Sequence, residues 1–203
     1  MNRLLDFRKP LILASASPRR RQLLGQLKLE FEVRVARIDE ENLARGLQPR
    51  DYVMKLAQSK AAAIARDAGD AWVIGADTIV VLDGDIINKP ADAAEACAML
   101  RRLSGRTHQV YSGFAIIDAA TGATLTDYRR TDVEFRELDE DEISDYVAGG
   151  SPLDKAGAYG IQDDFGAVFV REVRGCYYNV VGLPLELLYR RLRECLTTGI
   201  AAE

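Results

Sequence analysis

Histidine and cysteine are both scarce in this sequence. Its 203 residues include one histidine, His108, so a zinc site built on several histidines is excluded and a Ser-His-Asp triad would depend on that residue. His108 falls in a strand pattern, and we interpret it as structural. The three cysteines, at positions 97, 176 and 195, form neither a disulfide framework nor a CxxC metal motif, so we expect reduced thiols.

Long hydrophobic runs and blocks of one charge are missing as well. The longest apolar runs, such as residues 79–82, are far shorter than the roughly 20 residues of a membrane-spanning helix. Charged residues interrupt the leucines near the N-terminus, which is atypical of a secretory signal. The formal net charge is −4, whereas nucleic-acid-binding proteins normally present a basic face. We therefore expect a cytoplasmic protein with no membrane and no nucleic-acid partner.

Helix and strand patterns alternate along the chain, and hairpins are mixed in. No internal repeat or low-complexity linker interrupts them, so the sequence predicts one α/β domain over residues 1–203 with a mixed sheet. Ser17 before Pro18 is typical of a helix start, and Asp139 with Glu142 resembles a capping box. The predicted strands are 11–14, 31–35, 72–82, 85–88, 107–118, 126–138, 168–173 and 177–182. The predicted helices are 18–27, 49–67, 93–103, 140–149 and one that opens at Pro184.

Three arginines follow a predicted helix start in the segment SASPRRR at residues 15–21. A helix N-terminus already has partial positive charge, so each cation in the first turn costs roughly 0.3–1 kcal/mol at low salt. The arrangement becomes favourable when an anion binds there, because free backbone N–H groups and guanidinium groups converge on phosphate oxygens. A capped helix with solvated arginines is the alternative, and the motif alone does not decide between them.

Lys60 and Asp77 are charged residues within apolar patterns. Lys60 shares a helix face with Val53 and Leu56, so its ammonium either reaches solvent at the rim or contacts a phosphate. Asp77 lies in the strand segment VIGADTIVV, where an uncompensated carboxylate would be costly to bury. It is either paired with a buried lysine or arginine, or it acts as a metal ligand or general base. Gly75, on the same strand face, would leave room for a ligand.

Three further segments are polar in a less distinctive way. Glu40, in an acidic turn, and Lys89, after a hairpin, are each typical of a solvated surface when taken alone. The segment DKAGAYGIQ at residues 154–162 has small residues that allow close approach of the backbone to a ligand. Lys155 and Gln162 would supply its polar contacts, although an ordinary loop would have the same composition.

Eight segments, taken together, match the pattern of one known family in the family's order and over nearly the whole chain. They are LASASPRR (13–20), Asp39-Glu40, YVMKLAQSKA (52–61), VIGADTIVVLDG (73–84), NKP (88–90), MLRRLSGRTHQVYSG (99–113), DKAGAYGIQ (154–162) and GCYYNVVGLPL (175–185). On these segments the chain resembles the Maf family.

The resemblance implies a nucleoside triphosphate pyrophosphatase that releases the monophosphate and pyrophosphate with a divalent cation, Mg²⁺ or Mn²⁺. The form DKAGAYGIQ looks like the branch that acts on dTTP and UTP rather than the branch that acts on 7-methyl-GTP. The resemblance also implies a homodimer and an elongated, ITPase-like α/β fold with a twisted mixed sheet, flanking helices and a central cleft. Alternatives are the same chemistry on modified nucleotides and a nucleotide-sensing regulator of septum formation.

The family pattern assigns the proton-acceptor role to Asp77, the aspartate of GADT. Asp77 and Glu40 are the expected metal ligands, and it stays open whether Asp77 acts as base or binds the metal. In a regular strand Thr78 points away from the Asp77 face, so either Thr78 contributes backbone contacts or the strand bends. The implied substrate contacts are Ser15, Arg19, Arg20, Glu40, Lys60, Thr78, Lys89, Lys155 and Gln162.

Overall fold

The computed structural model describes residues 5, 7–162 and 164–200, and within them seven strands form one mixed sheet. The strands are β1 (Leu11–Ala14), β2 (Glu32–Val33), β3 (Trp72–Leu82), β4 (Asp85–Ile87), β5 (Thr107–Asp118), β6 (Thr124–Phe135) and β7 (Val170–Arg174). Their order is β2-β1-β3-β5-β6-β7, with β4 paired to β3. β1 pairs in parallel with β2 and β3, whereas the β3–β4 and β6–β7 pairs are antiparallel.

Helices flank this sheet, which confirms the predicted α/β fold with a mixed sheet. They are α1 (Pro18–Gln26), α2 (Glu40–Ala44), α3 (Pro49–Ala65), α4 (Ala93–Leu103), α5 (Glu140–Ala148), α6 (Tyr177–Val181) and α7 (Leu185–Thr198). Short 3₁₀ turns occupy much of the segment predicted as a loop after α5 and continue up to β7. Within the described residues, no helix is both long and apolar enough to cross a membrane.

Two helices begin at the signals found in the sequence. The Ser17 hydroxyl accepts a hydrogen bond from the Arg20 backbone N–H at 3.4 Å, which caps α1. At α5 the Asp139 N–H donates to the Glu142 carboxylate at 3.1 Å, and the reciprocal bond to the Asp139 side chain completes the capping box. Both predicted helix starts are confirmed.

The strand predicted at residues 177–182 is wrong, because helix α6 occupies that segment. The buried Asn179 side chain donates from Nδ2 to the Val110 carbonyl at 2.9 Å and to the Thr131 hydroxyl at 3.0 Å. The Cys176 carbonyl accepts the Asn179 backbone N–H at 3.1 Å, which closes a helical turn. These contacts satisfy a buried amide and override the local strand preference of the neighbouring tyrosines and valines.

The strand predicted at residues 31–35 shrinks to the two residues of β2. Its partner β1 ends at Ala14, where the chain turns towards α1. The last bond along this edge runs from the Arg34 N–H to the Leu13 carbonyl at 3.1 Å. The alternating pattern of residues 31–35 therefore extends beyond the end of β1, the strand with which it pairs.

The described chain divides into two compact units. Unit 1 comprises residues 1–77, 112–129 and 182–203, and unit 2 comprises residues 78–111 and 130–181. Three of the four boundaries between them fall inside β3, β5 and β6, and the fourth follows α6. The single domain expected over residues 1–203 stays a prediction.

In unit 1, helix α3 lies directly against the backbone of the sheet. A Cβ atom added at Gly75 would overlap the Ala57 carbonyl oxygen, and one added at Gly113 would lie 2.7 Å from the Val53 carbonyl carbon. Small side chains of α3, such as Ala61, fill the remaining space against β1 and β3. These glycines on β3 and β5 therefore set how closely α3 approaches the sheet.

In unit 2, aromatic rings pack around the histidine. His108 is fully buried, its Nε2 lies 2.8 Å from the Tyr159 hydroxyl, and its ring meets that of Phe135 edge to face at 4.9 Å. Burial lowers the pKa of His108 to about 4. The ring is therefore neutral at physiological pH, in agreement with a structural role.

Candidate active site

The segment between β1 and α1 fixes Arg20 against two acceptors of unit 1. Arg20 Nε donates to the Gly182 carbonyl at 3.0 Å, and Nη1 donates to the Ser15 hydroxyl at 3.5 Å. Ser15 Oγ also accepts the Ser17 N–H at 3.2 Å. Ser15 is buried and Arg20 half-buried, so this guanidinium is held in place rather than solvated along the helix.

The three arginines of the SPRRR segment differ in their surroundings. Arg19 and Arg20 are half-buried, whereas Arg21 is exposed. Burial lowers the pKa of Arg20, and the nearby negative charge of Asp77 opposes that effect. Two partly desolvated cations at a helix N-terminus form an environment that favours a phosphate.

Lys60 stands between two carboxylates of unit 1. Its Nζ donates to Asp77 Oδ1 at 2.7 Å and lies 3.0 Å from Glu40 Oε1. The Lys60 and Asp77 side chains are only 12% and 9% exposed, whereas that of Glu40 is 50% exposed. Asp77 is therefore paired with a buried lysine, and its role as general base or metal ligand stays a prediction.

Gly75 explains how the helix and the strand bring these charges together. A Cβ atom at Gly75 would lie 2.8 Å from the Ala61 backbone nitrogen, the residue after Lys60. Because this Cβ is absent, α3 approaches β3 closely enough for Lys60 to reach Asp77, two residues along the strand. The room beside Gly75 is filled by α3, so the expectation that it accommodates a ligand is wrong.

The electrostatics of Asp77 suit proton transfer. Burial raises the pKa of its carboxyl group, and the charges of Lys60 and Arg20 act in the opposite direction. A carboxylate whose pKa is raised towards neutrality is a stronger base than an exposed aspartate while it remains ionised.

In unit 2, the loop after α5 joins the segment after β4. The Gly157 N–H donates to the Asn88 carbonyl at 3.1 Å, and Gly157 adopts a positive φ of 70°. Lys155 is buried, with 7% of its surface exposed, and its Nζ lies 2.9 Å from Asp154 Oδ1. This loop thus holds a buried ammonium beside one half-exposed carboxylate.

The other candidates of unit 2 are more open to solvent. Lys89 is exposed, and Gln162 and Thr78 are half-buried. β3 runs unbroken from Trp72 to Leu82, so the Thr78 side chain leaves the strand on the face opposite to Asp77. Of the two alternatives for Thr78, the unbroken strand favours backbone contacts.

The carboxylate pair fits a divalent cation that also binds phosphate. Within the described part of the chain, no group of three His, Cys, Asp or Glu residues is placed to hold a metal. Asp77 and Glu40 each have a carboxylate oxygen within 3.0 Å of the Lys60 ammonium nitrogen, so the two carboxylates face the same small region. One or two carboxylates completed by substrate phosphates and water is the usual magnesium environment in nucleotide-processing enzymes.

Two contacts that position Arg20 and Lys60 were not predicted from the sequence. The Gly182 carbonyl binds Arg20, and a backbone acceptor has no side-chain signature. Gly113 allows α3 to pack closely against β5. The sequence feature that indicated this contact was a glycine inside a strongly predicted strand. Glycines within strands are thus the sequence feature from which close helix packing could have been predicted.

Known proteins resemble this chain over most of its length. The model of the family described as Maf-like protein matches residues 10–195. A dTTP/UTP pyrophosphatase of Salinibacter ruber is 50% identical over 95% of this chain and 94% of its own, and one of Desulforamulus reducens is 48% identical over 91% and 96%. The solved structure of a HAM1 protein from Coxiella burnetii is similar, with a TM-score of 0.52 at 15% identity, over 93% of this chain and 98% of that one. At that identity the likeness concerns the fold alone.

Proposed function

Because the chain belongs to the Maf-like protein family, we propose that it is a nucleoside triphosphate pyrophosphatase that hydrolyses dTTP and UTP. The products are the nucleoside monophosphate and pyrophosphate. The observation that supports this most directly is the buried Asp77 carboxylate, held 2.7 Å from Lys60 and within the field of Arg20. A partly desolvated base among cations is suited to the hydrolysis of a polyanion.

The cations of unit 1 bind and orient the triphosphate. Arg20 is held by Ser15 and Gly182, so its guanidinium has a defined orientation towards a ligand. Arg19 in the same helical turn and Lys60 add positive charge. Together they offset the negative charge of the phosphates and stabilise pyrophosphate as it leaves.

Asp77 acts as the general base. It accepts a proton from the water that attacks the α-phosphorus, and a positioned base of this kind contributes about 10²–10⁴-fold to the rate. Burial raises the pKa of Asp77, which increases its basicity, while the positive charge of Lys60 favours the ionised form.

Asp77 and Glu40 are the proposed ligands of a divalent cation, Mg²⁺ or Mn²⁺. When bound, the cation neutralises phosphate charge and acidifies water. Two carboxylates leave most coordination positions to phosphate oxygens and water, so the residues suit an ion shared with the substrate. A carboxylate has two oxygens, so Asp77 can hold a cation with one and accept a proton with the other.

The remaining assignments rest on the family resemblance. We include Thr78, Lys89, Lys155 and Gln162 of unit 2 as substrate contacts, with Lys155 and Gln162 in the segment typical of the dTTP and UTP branch. We further propose a cytoplasmic homodimer.

Product analysis tests this function. The purified protein with Mg²⁺ or Mn²⁺ should convert dTTP and UTP to monophosphate and pyrophosphate, and a panel of standard and modified triphosphates should rank these two highest. Asp77→Asn should lower kcat at least 100-fold, because the amide cannot accept the proton. Chromatography with separate assays for pyrophosphate and orthophosphate measures both.

Three outcomes would contradict the proposal. Release of orthophosphate with diphosphate would indicate a different bond cleavage, and undiminished turnover in Asp77→Asn would remove the base from the mechanism. Binding of dTTP that raises thermal stability without turnover would instead indicate a nucleotide sensor.

A further inference from the structure

The Lys60 ammonium contacts both carboxylates that would hold the cation. Its Nζ is 2.7 Å from Asp77 Oδ1 and 3.0 Å from Glu40 Oε1. Magnesium binds carboxylate oxygens at about 2.0–2.1 Å, so an ion bound to these two oxygens would lie at most about 5 Å from the ammonium nitrogen. Two cations this close together would repel each other strongly in a partly buried site.

We propose that Lys60 is the resident cation of the Asp77–Glu40 pair and excludes the free metal ion until a triphosphate binds. The inference rests on the proposed metal-dependent hydrolysis and specifies the order in which nucleotide and metal bind. The divalent ion enters together with the nucleotide, and Lys60 then transfers from the carboxylates to a phosphate oxygen.

The phosphate is needed for this exchange for two reasons. It provides oxygens that complete the coordination of a cation to which the described residues offer the carboxylates of Asp77 and Glu40. It also gives the Lys60 ammonium a new anionic partner. When the ammonium leaves Asp77, it therefore does not become an unpaired charge in a site where the lysine side chain is only 12% exposed. Without a phosphate, both costs oppose binding of the metal.

The surroundings of Lys60 permit such a movement. The lysine has four methylene groups, and its Cα lies on α3, which Gly75 and Gly113 hold against the sheet. The ammonium can therefore move while the helix stays in place. Glu40, with its side chain 50% exposed, is the member of the pair that is open to solvent. An incoming ion thus reaches the pair from the Glu40 side.

Manganese binding without nucleotide tests the inference. Free Mn²⁺ should be titrated into the full-length protein and followed by electron paramagnetic resonance, so that no turnover is required. Lys60→Met keeps the length of the side chain and removes its charge. We expect this variant to bind Mn²⁺ at least tenfold more tightly than the wild type in the absence of nucleotide. A non-hydrolysable dTTP analogue should raise the Mn²⁺ affinity of the wild type much more than that of Lys60→Met.

Matched variants identify the site that is responsible. Lys55→Met removes an exposed lysine of the same helix and should leave both Mn²⁺ affinity and turnover unchanged. Adding Asp77→Asn to Lys60→Met should abolish the gain, which assigns it to this carboxylate. Circular dichroism confirms that each variant is folded.

Equal Mn²⁺ affinity in wild type and folded Lys60→Met would overturn the inference. So would Mn²⁺ binding by the wild type that is as tight without nucleotide as with the dTTP analogue. Both results are compatible with pyrophosphate release from dTTP, so they refute the role of Lys60 and not the proposed activity. Absence of that release from every triphosphate would refute the proposed activity, whereas the Mn²⁺ titration still reports on Lys60.

Discussion

Protonation of His108 would be costly for the folded protein. Its ring is fully buried between Phe135 and Tyr159, and its Nε2 faces the Tyr159 hydroxyl at 2.8 Å. Nδ1 has no hydrogen-bond partner among the described residues. Burial therefore lowers the pKa to about 4, well below the value of about 6.5 for an exposed histidine.

This difference predicts a loss of stability in mild acid. The unfolded chain binds a proton near pH 6.5 and the folded chain only near pH 4, so the unfolded state holds more protons between these values. The free energy of unfolding should fall as the pH drops through this window, by about 3 kcal/mol in total. Urea denaturation at half-unit steps from pH 7.5 to pH 4 measures it.

His108→Gln isolates the contribution of this histidine. Glutamine does not titrate, so the variant should lose stability less steeply between pH 6.5 and pH 4, whatever its stability at pH 7.5. Parallel curves for the two proteins would show that His108 does not control the acid sensitivity.

Single residues differ in how much the sequence reveals about them. Asp77 was identifiable because a carboxylate interrupts an apolar strand, and its ion pair with Lys60 was one of two predicted alternatives. The contact of Glu40 with Lys60 was not predictable from the residues alone. It joins the first residue of α2, a segment that the sequence suggested was an acidic turn, to α3 through tertiary packing that no local pattern encodes.

At the scale of elements, helix α3 is positioned by backbone contacts. Gly75 and Gly113 remove the side chains that would otherwise separate it from β3 and β5. The alanine-rich face of the helix, which includes Ala57 and Ala61, completes the close packing. The place of Lys60 therefore depends on two residues that make no polar contact with it.

Gly75→Ala should displace α3 and impair the site. Its new methyl group would overlap the Ala57 carbonyl oxygen, which is backbone and cannot rotate away. We expect a loss of about 1–3 kcal/mol in the free energy of unfolding and at least a tenfold fall in kcat, as Lys60 moves away from Asp77. Urea denaturation and steady-state kinetics with dTTP provide the two measurements.

Gly25→Ala is the matched control within a helix. No atom lies within 4 Å of a Cβ added there, and the backbone is helical. This substitution should leave kcat unchanged and stabilise the protein by up to about 1 kcal/mol. An unaltered kcat in Gly75→Ala would mean that the close packing of α3 against β3 does not determine the Lys60–Asp77 distance.

Elements with a strong local signal were predicted well: β3 by its apolar pattern, and the starts of α1 and α5 by their capping residues. Errors arose where tertiary contacts decide the conformation. Asn179 converts an apparent strand into helix α6 by bonding to Val110 and Thr131, and the early end of β1 limits β2. Neither cause is visible within the segment concerned.

At the scale of the whole molecule, the chain passes several times between the two units. Three of the four boundaries fall inside strands, so β3, β5 and β6 each contribute residues to both units. The sequence predicted alternating elements and a mixed sheet, but not the strand order. Strand order depends on which distant segments pair, and alternation of side chains does not specify the partner.

Shared strands predict cooperative unfolding. Because β3, β5 and β6 each contribute residues to both units, unfolding of either unit disrupts strands that the other also contains, so we expect a single thermal transition. Scanning calorimetry should give equal van't Hoff and calorimetric enthalpies. Two resolved transitions, or a calorimetric enthalpy well above the van't Hoff value, would contradict the expectation of one domain over residues 1–203.

The bond from Arg20 to Gly182 has a consequence for how this sequence can diverge. Any residue offers a carbonyl oxygen, but position 182 has a φ of 128°, which side chains other than hydrogen rarely tolerate. If Arg20 binds substrate as proposed, selection for its orientation would therefore act on a residue with no functional group. Among relatives that retain this loop, loss of glycine at 182 should coincide with replacement at position 20, so the two positions should covary.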